Sequence, residues 1–251
     1  MVIESTYGDR RHAQDDPFET LAGILRRTLE RDGILLIPSF AVGRAQALLY
    51  CLHQIFERGL APRVPVFVNS PMATAATQIF RRSCEYHWLS EALCDSVFDV
   101  AEYTRTIEQS KRPSARRESA VIISASGMAS GGRVLHHLRA LAPVARNTIL
   151  FPGFQAPGTR GESLVRGVET VKIHGAYVPV EAEVLQLDMF SAHADRAGLL
   201  GWLRACTRAP KRVYVTHGEA VAADTLRREI KDTLGFDAHV PEYLDSVELS
   251  A

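Results

Sequence analysis

Four short segments, "GILLIPSF", "VPVFVNSP", "AVIISAS" and "TILFPGF", are apolar at almost every position rather than at alternate ones. Strands with that pattern are covered on both faces, as in a parallel sheet held between helices. Helical spacing fills most of the intervals. The first helix has visible bounds: Asp16 as N-cap, Pro17 at the first helical position, Phe18, Leu21, Leu25 and Leu29 on one face, and Gly33 beyond the end. A second helix turns Leu48, Leu49, Leu52, Ile55 and Phe56 inward. Strand alternating with helix predicts an α/β domain, a mostly parallel sheet flanked by helices, over residues 11 to 185.

After Lys172 the pattern changes. "VKIHGAYVPVEAEVLQLDMF" reads as strands with a turn at Gly175, Arg196 to Cys206 as a helix, "KRVYVTHGE" as a strand and Val221 to Leu234 as a closing helix. The opening "MVIES" has the character of the last residues of a buried strand with nothing before it. This strand, within residues 1 to 10, is expected to join residues 186 to 251 in a second sheet, and its isolation points to a fragment of a longer chain.

Composition narrows the class. A 46% hydrophobic share supplies a core. No apolar run approaches the roughly 18 residues of a membrane span, and no apolar stretch follows a basic start, so a cytoplasmic protein without a membrane partner is expected. The 29 basic and 29 acidic residues balance, so any nucleic-acid site must be a local patch. The most basic stretch, "RTIEQSKRPSARRES", gathers Arg105, Lys111, Arg112, Arg116 and Arg117 and reads as a solvated loop. Cys51, Cys84, Cys94 and Cys206 show no C-x-x-C pair and no His at ligand spacing, which makes them small core residues.

Three polar residues share one setting: Glu4 ends the opening strand, His193 follows "VLQLDMFSA" and His217 ends "RVYVT". Carboxyl ends of strands are where α/β proteins place their sites. Asp195, next to His193, precedes "RAGLLGWL" and reads as a helix N-cap rather than a ligand. His136 and His137 diverge by about 100° on a helix and read as surface residues. In "SASGMASGGRVLHHL" a strand runs through a Ser/Gly-rich loop into a helix, so backbone N–H groups can face a phosphate. Its glycines fit neither the dinucleotide fingerprint nor the P-loop, where Lys-Ser/Thr would replace Arg133-Val134. Arg44 of "IPSFAVGRAQ" lies just beyond a strand, placed either to meet a phosphate or to brace the fold.

The segments "ESTYGDR", "IPSFAVGRAQALL", "NSPMA", "SASGMASGG", "GFQAPGTRG", "FSAHAD" and "THGE" occur in an order that resembles the β-CASP branch of the metallo-β-lactamase superfamily, from Glu4 to about residue 235. The resemblance implies a β-CASP domain plus an incomplete metallo-β-lactamase αββα domain. It further implies a zinc-dependent ribonuclease in which two zinc ions activate water for attack on an RNA phosphodiester. By that resemblance His217 is a zinc ligand, His193 the catalytic histidine that protonates the leaving oxygen or steadies the phosphate, and Glu4 the carboxylate that fixes its tautomer. Ser126, Gly127, Ser130, Gly131 and Arg44 would contact single-stranded RNA.

Two departures qualify the resemblance. Glu162 stands where many members carry a basic residue, and the family's main zinc signature, H-x-H-x-D-H, is absent, with no substitute among the nine histidines. One imidazole does not hold a dinuclear centre. The chain alone is therefore expected to be a poor nuclease, either a portion of a longer enzyme or a non-catalytic nucleic-acid-binding or scaffolding module of the same fold. Sheet edges left open by missing strands would favour a homodimer. A nucleotide-binding oxidoreductase rests on fold analogy alone.

Overall fold

Helix formation starts where the sequence places its caps. The Asp16 carboxylate accepts from the N–H groups of Phe18 and Glu19, Pro17 opens the helix, and the chain turns out of it before Gly33. The computed structural model describes residues 1–104 and 106–248. Arg105 of the basic stretch lies outside the described residues.

The chain begins with β1 (Val2–Glu4), α1 (Pro17–Glu30), β2 (Ile34–Pro38), α2 (Arg44–Glu57), β3 (Val66–Val68) and α3 (Pro71–Arg82). It continues with α4 (Glu91–Phe98), β4 (Glu102–Tyr103), α5 (Ile107–Lys111), β5 (Ala120–Ser124), α6 (Val134–Leu141) and β6 (Thr148–Phe151). Then follow α7 (Arg160–Val165), β7 (Thr170–Ile173), β8 (Ala176–Pro179), β9 (Glu183–Gln186), α8 (Arg196–Arg204), β10 (Val213–Thr216), α9 (Ala220–Leu234) and β11 (Ala238–His239).

Two compact units result. The larger comprises Gln14–Ser191, and the smaller joins Met1–Ala13 to Ala192–Ala251. In the larger unit six strands pair in parallel, in the order β4-β3-β5-β2-β6-β9. The four apolar segments of the sequence supply β2, β3, β5 and β6, and every residue of these strands is buried. Successive side chains leave opposite faces. Leu35 and Ile37 accordingly join α1, α2 and α4 in one core, while Ile34 and Leu36 join α6, α7 and the β7–β8 hairpin in another. Complete burial on both faces, at roughly 25 cal/mol per Å² of apolar surface, is what these uniformly apolar strands contribute to stability.

The carboxyl ends of these strands are tied together by polar groups. Asn69, fully buried after β3, accepts from the Thr104 and Ser110 hydroxyls and from the Arg133 guanidinium, and donates to the carbonyl of Ser110. Gln155, after β6, donates to the carbonyls of Gly127 and Gly153.

In the smaller unit β1, β10 and β11 form a parallel sheet against α8 and α9, with Ile3, Leu203, Val213, Val215, Leu226 and Ile230 in the core. No helix among the described residues is long and apolar enough to cross a membrane.

Three expectations need correction. His137 is not a surface residue: α6 presses it against the 113–115 turn, 1% exposed, with Ser114 Oγ 2.8 Å from Nδ1; only His136 faces outward. Cys84 and Cys94 are not isolated core residues but form a disulfide, and His87 stands three positions after Cys84, at ligand spacing after all. The basic stretch is no plain loop, since it holds α5 and Arg116 pairs with Glu118 and lies over the Phe67 ring.

Candidate active site

Register builds the site. β1 lies alongside β10 with Glu4 opposite Thr216, so the residue following each strand falls at the same edge. Ser5 Oγ donates to the Thr216 carbonyl at 2.7 Å, which locks the two strand ends. Gly218 then passes so close to Ser5 that a Cβ there would lie 2.5 Å from its carbonyl oxygen; only glycine fits. Just before it, His217 takes a left-handed backbone, φ 51°, that turns its ring back over Thr6.

His193 arrives differently. The strand expected to end at it stops at Gln186 and belongs to the larger unit's sheet, so His193 sits on the irregular segment that follows. Two partners fix that segment within the smaller unit. His12 Nε2 lies 2.9 Å from the His193 carbonyl, and the Asp195 carboxylate accepts from the N–H groups of His12 and Gly198. Burial alone would raise the Asp195 carboxyl, but those two N–H bonds hold it below the usual carboxylate range. Asp195 is thus the α8 cap that its sequence position indicates.

The three polar residues meet. His193 Nδ1 is 3.4 Å from Glu4 Oε2, the rings of His193 and His217 stack with centroids 5.2 Å apart, and Glu4, His193 and His217 each offer a ligand atom within 4.8 Å of the others. Thr6, which sequence reasoning left without a role inside "ESTYG", is the hub. Its Oγ1 lies 3.3 Å from His193 Nδ1, 3.2 Å from His217 Nδ1 and 3.1 Å from the His217 carbonyl, while its N–H donates to Glu4 at 2.7 Å. A hydroxyl has one proton and two lone pairs. If that proton goes to the carbonyl, which can only accept, both Nδ1 atoms must donate to the oxygen. Both Nε2 atoms then carry lone pairs, the form in which imidazole binds a metal or takes up a proton.

Donor chemistry suits zinc in part. Two imidazoles and a carboxylate are zinc ligands, and three donors from the protein are what a single catalytic zinc takes. A two-ion centre needs more donors than this group gathers among the described residues.

The residues expected to touch RNA lie apart from this group in sequence and belong to the larger unit. Ser126 Oγ accepts from the N–H groups of Ser130 and Gly131, so those two donors are engaged inside the loop. Gly127 packs against the Phe40 backbone, and Arg44 lies over the Phe40 ring with its guanidinium against Gly153. Sequence reasoning also missed Asn69, Arg133 and Gln155, although all three lie in or beside the segments that carried the resemblance.

A family model described as the Beta-Casp domain matches residues 45–164, and one described as the Zn-dependent metallo-hydrolase RNA specificity domain matches residues 177–241. The chain belongs to the β-CASP family of metallo-β-lactamase proteins. Among similar proteins, Ribonuclease TTHA0252 of Thermus thermophilus is 35% identical over 229 residues, covering 87% of this chain and 51% of the relative. Transcription termination factor FttA of Methanosarcina mazei is 31% identical over 272 residues, covering 99% of this chain and 41% of the relative. FttA of Thermococcus kodakarensis is 32% identical over 266 residues, covering 99% and 40%. The chain thus spans about half the length of these relatives or less.

Proposed function

We propose that this chain serves the metal-dependent hydrolysis of RNA phosphodiester bonds in the cytoplasm. The observation that carries the reading is the Thr6 hub, which directs the Nδ1 atoms of two stacked imidazoles inward beside Glu4. His217 Nε2 would contribute one bond to a zinc ion. Bound zinc supplies a nucleophilic hydroxide and neutralises charge on the phosphate. His193 donates a proton to the departing ribose oxygen or steadies the phosphate, and Glu4 together with Thr6 holds its ring. Arg44 and the loop containing Ser126, Gly127, Ser130 and Gly131 would bind the single-stranded RNA backbone, the loop through groups other than the Ser130 and Gly131 N–H groups that Ser126 Oγ engages. The names of the relatives, a ribonuclease and a transcription termination factor, support RNA as the substrate class.

The test is cleavage of end-labelled single-stranded RNA with zinc present by this chain joined to a segment that carries the H-x-H-x-D-H signature, comparing the wild type with His193→Ala. Loss of general acid catalysis should lower kcat about a hundredfold or more; equal rates would reject the role of His193. One observation favours a second reading, a non-catalytic RNA-binding module: the group holds three donors where a dinuclear centre needs more. RNA that is bound but left uncut by that extended wild type would select it.

A further inference from the structure

The turn between α3 and α4 brings together a second group of metal-binding side chains, unrelated to the histidine site. Cys84 opens a 3-10 turn after α3, His87 follows it, and Cys94 lies on α4. Each offers a ligand atom within 4.8 Å of the other two. His87 Nε2 is 3.8 Å from Cys94 Sγ and 3.0 Å from the Phe80 carbonyl, while the ring stacks on Phe80. His87 Nδ1 is buried without a hydrogen-bond partner. Cys94 is fully buried. Glu85, Glu91 and Asp95 line the same hollow as Cys84, and of these Asp95 is held by Arg81.

We propose that Cys84, His87 and Cys94 form a zinc site when the disulfide is reduced, with Glu91 or a water as fourth ligand. Two thiolates and an imidazole are the soft donor set that selects zinc among the abundant divalent cations. The Cα atoms of the two cysteines are 6.5 Å apart. Tetrahedral Zn–S bonds of about 2.3 Å need the sulfurs roughly 3.8 Å apart, which side-chain rotation supplies over that backbone span. The two states exclude each other. Two equivalents of a thiol, or one of a dithiol, pass two electrons and two protons to the disulfide and are oxidised to a disulfide; zinc then displaces both thiol protons to solvent. Either way the turn after α3 remains cross-linked to α4, by sulfur in oxidising surroundings and by metal in reducing ones.

The experiment uses the purified chain, reduced, freed of reductant under anaerobic conditions and titrated with Co²⁺, whose charge-transfer absorption reports thiolate ligation. A thiolate–cobalt band should appear in the reduced protein, be absent from the oxidised protein, persist in His217→Ala and vanish in Cys94→Ala. Zinc competition should show binding weakened at least about tenfold in His87→Ala. Because Cys94 is buried, the exposed-side variant Cys84→Ser is measured in parallel, with circular dichroism confirming the fold of both. A reduced protein without the band, a band that survives both cysteine variants, or a pair that resists reduction in the folded chain would overturn the proposal. The His217→Ala arm keeps this result separate from the fate of the histidine site.

Discussion

His137 shows how one buried ring couples the fold to pH. Desolvation first, and the neighbouring His136 and Arg133 after it, push its pKa down from 6.5 to about 4. The folded state therefore favours the neutral ring. That contribution is complete above pH 6.5, declines as the pH falls toward 4, and is gone below it. The shift is worth about 2 to 3 kcal/mol at pH 4.5 relative to neutral pH. Urea denaturation at pH 7 and pH 4.5 should show His137→Gln losing less stability on acidification than the wild type by about that amount; equal losses would refute the assignment. The consecutive histidines of α6 were visible in the sequence, but burial of one was not, because the covering turn at 113–115 comes from twenty residues upstream. Thr6 was equally illegible: a threonine after a strand says nothing until the register of β1 against β10 brings His217 beside it. Glu4 and His217, by contrast, could be read directly, since each lies at the end of a strand recognisable in the sequence, although Val2, expected in a buried strand, is 63% exposed.

At the level of elements, the same uniform burial that made β2, β3, β5 and β6 legible says nothing about the loops at their ends. The loop from Ala125 to Arg133 closes on itself through Ser126 Oγ, and Gly132 makes the closure possible. Its φ is +80°, and a Cβ there would lie 2.7 Å from the Ala125 carbonyl oxygen. Gly132→Ala combines left-handed backbone with a backbone clash and should cost about 2 kcal/mol, or roughly 4–8 °C in Tm. Gly131→Ala, next to it, meets nothing within 4 Å and serves as the control. Equal melting temperatures for the two variants would show that the loop rearranges. The disulfide escaped sequence reasoning for a related reason: Cys94 lies ten positions after Cys84, and only the folding of the 83–90 connection, with α4 packed on α3, brings their Cα atoms to 6.5 Å.

For the whole molecule, the division of the chain has a thermodynamic consequence. The larger unit sandwiches its sheet between two apolar cores, whereas the smaller rests on a three-stranded sheet and one core against α8 and α9. Small units bury a lower fraction of their surface and are correspondingly marginal. Calorimetry should therefore show two transitions, the lower belonging to the smaller unit. Leu226, fully buried on α9, tests the assignment: Leu226→Ala should cost about 2–5 kcal/mol and depress the lower transition alone. Glu4, Thr6, His12, His193 and His217 all lie in this smaller unit, so a zinc ion bound there through His217 would add stability to it by mass action. Zinc given to the oxidised protein, in which Cys84 and Cys94 are joined, should raise the lower transition and leave the upper one in place. His217→Ala should abolish that rise. A single transition shifted by both Leu226→Ala and zinc would mean that the two units unfold as one, and that the site draws its rigidity from the entire chain.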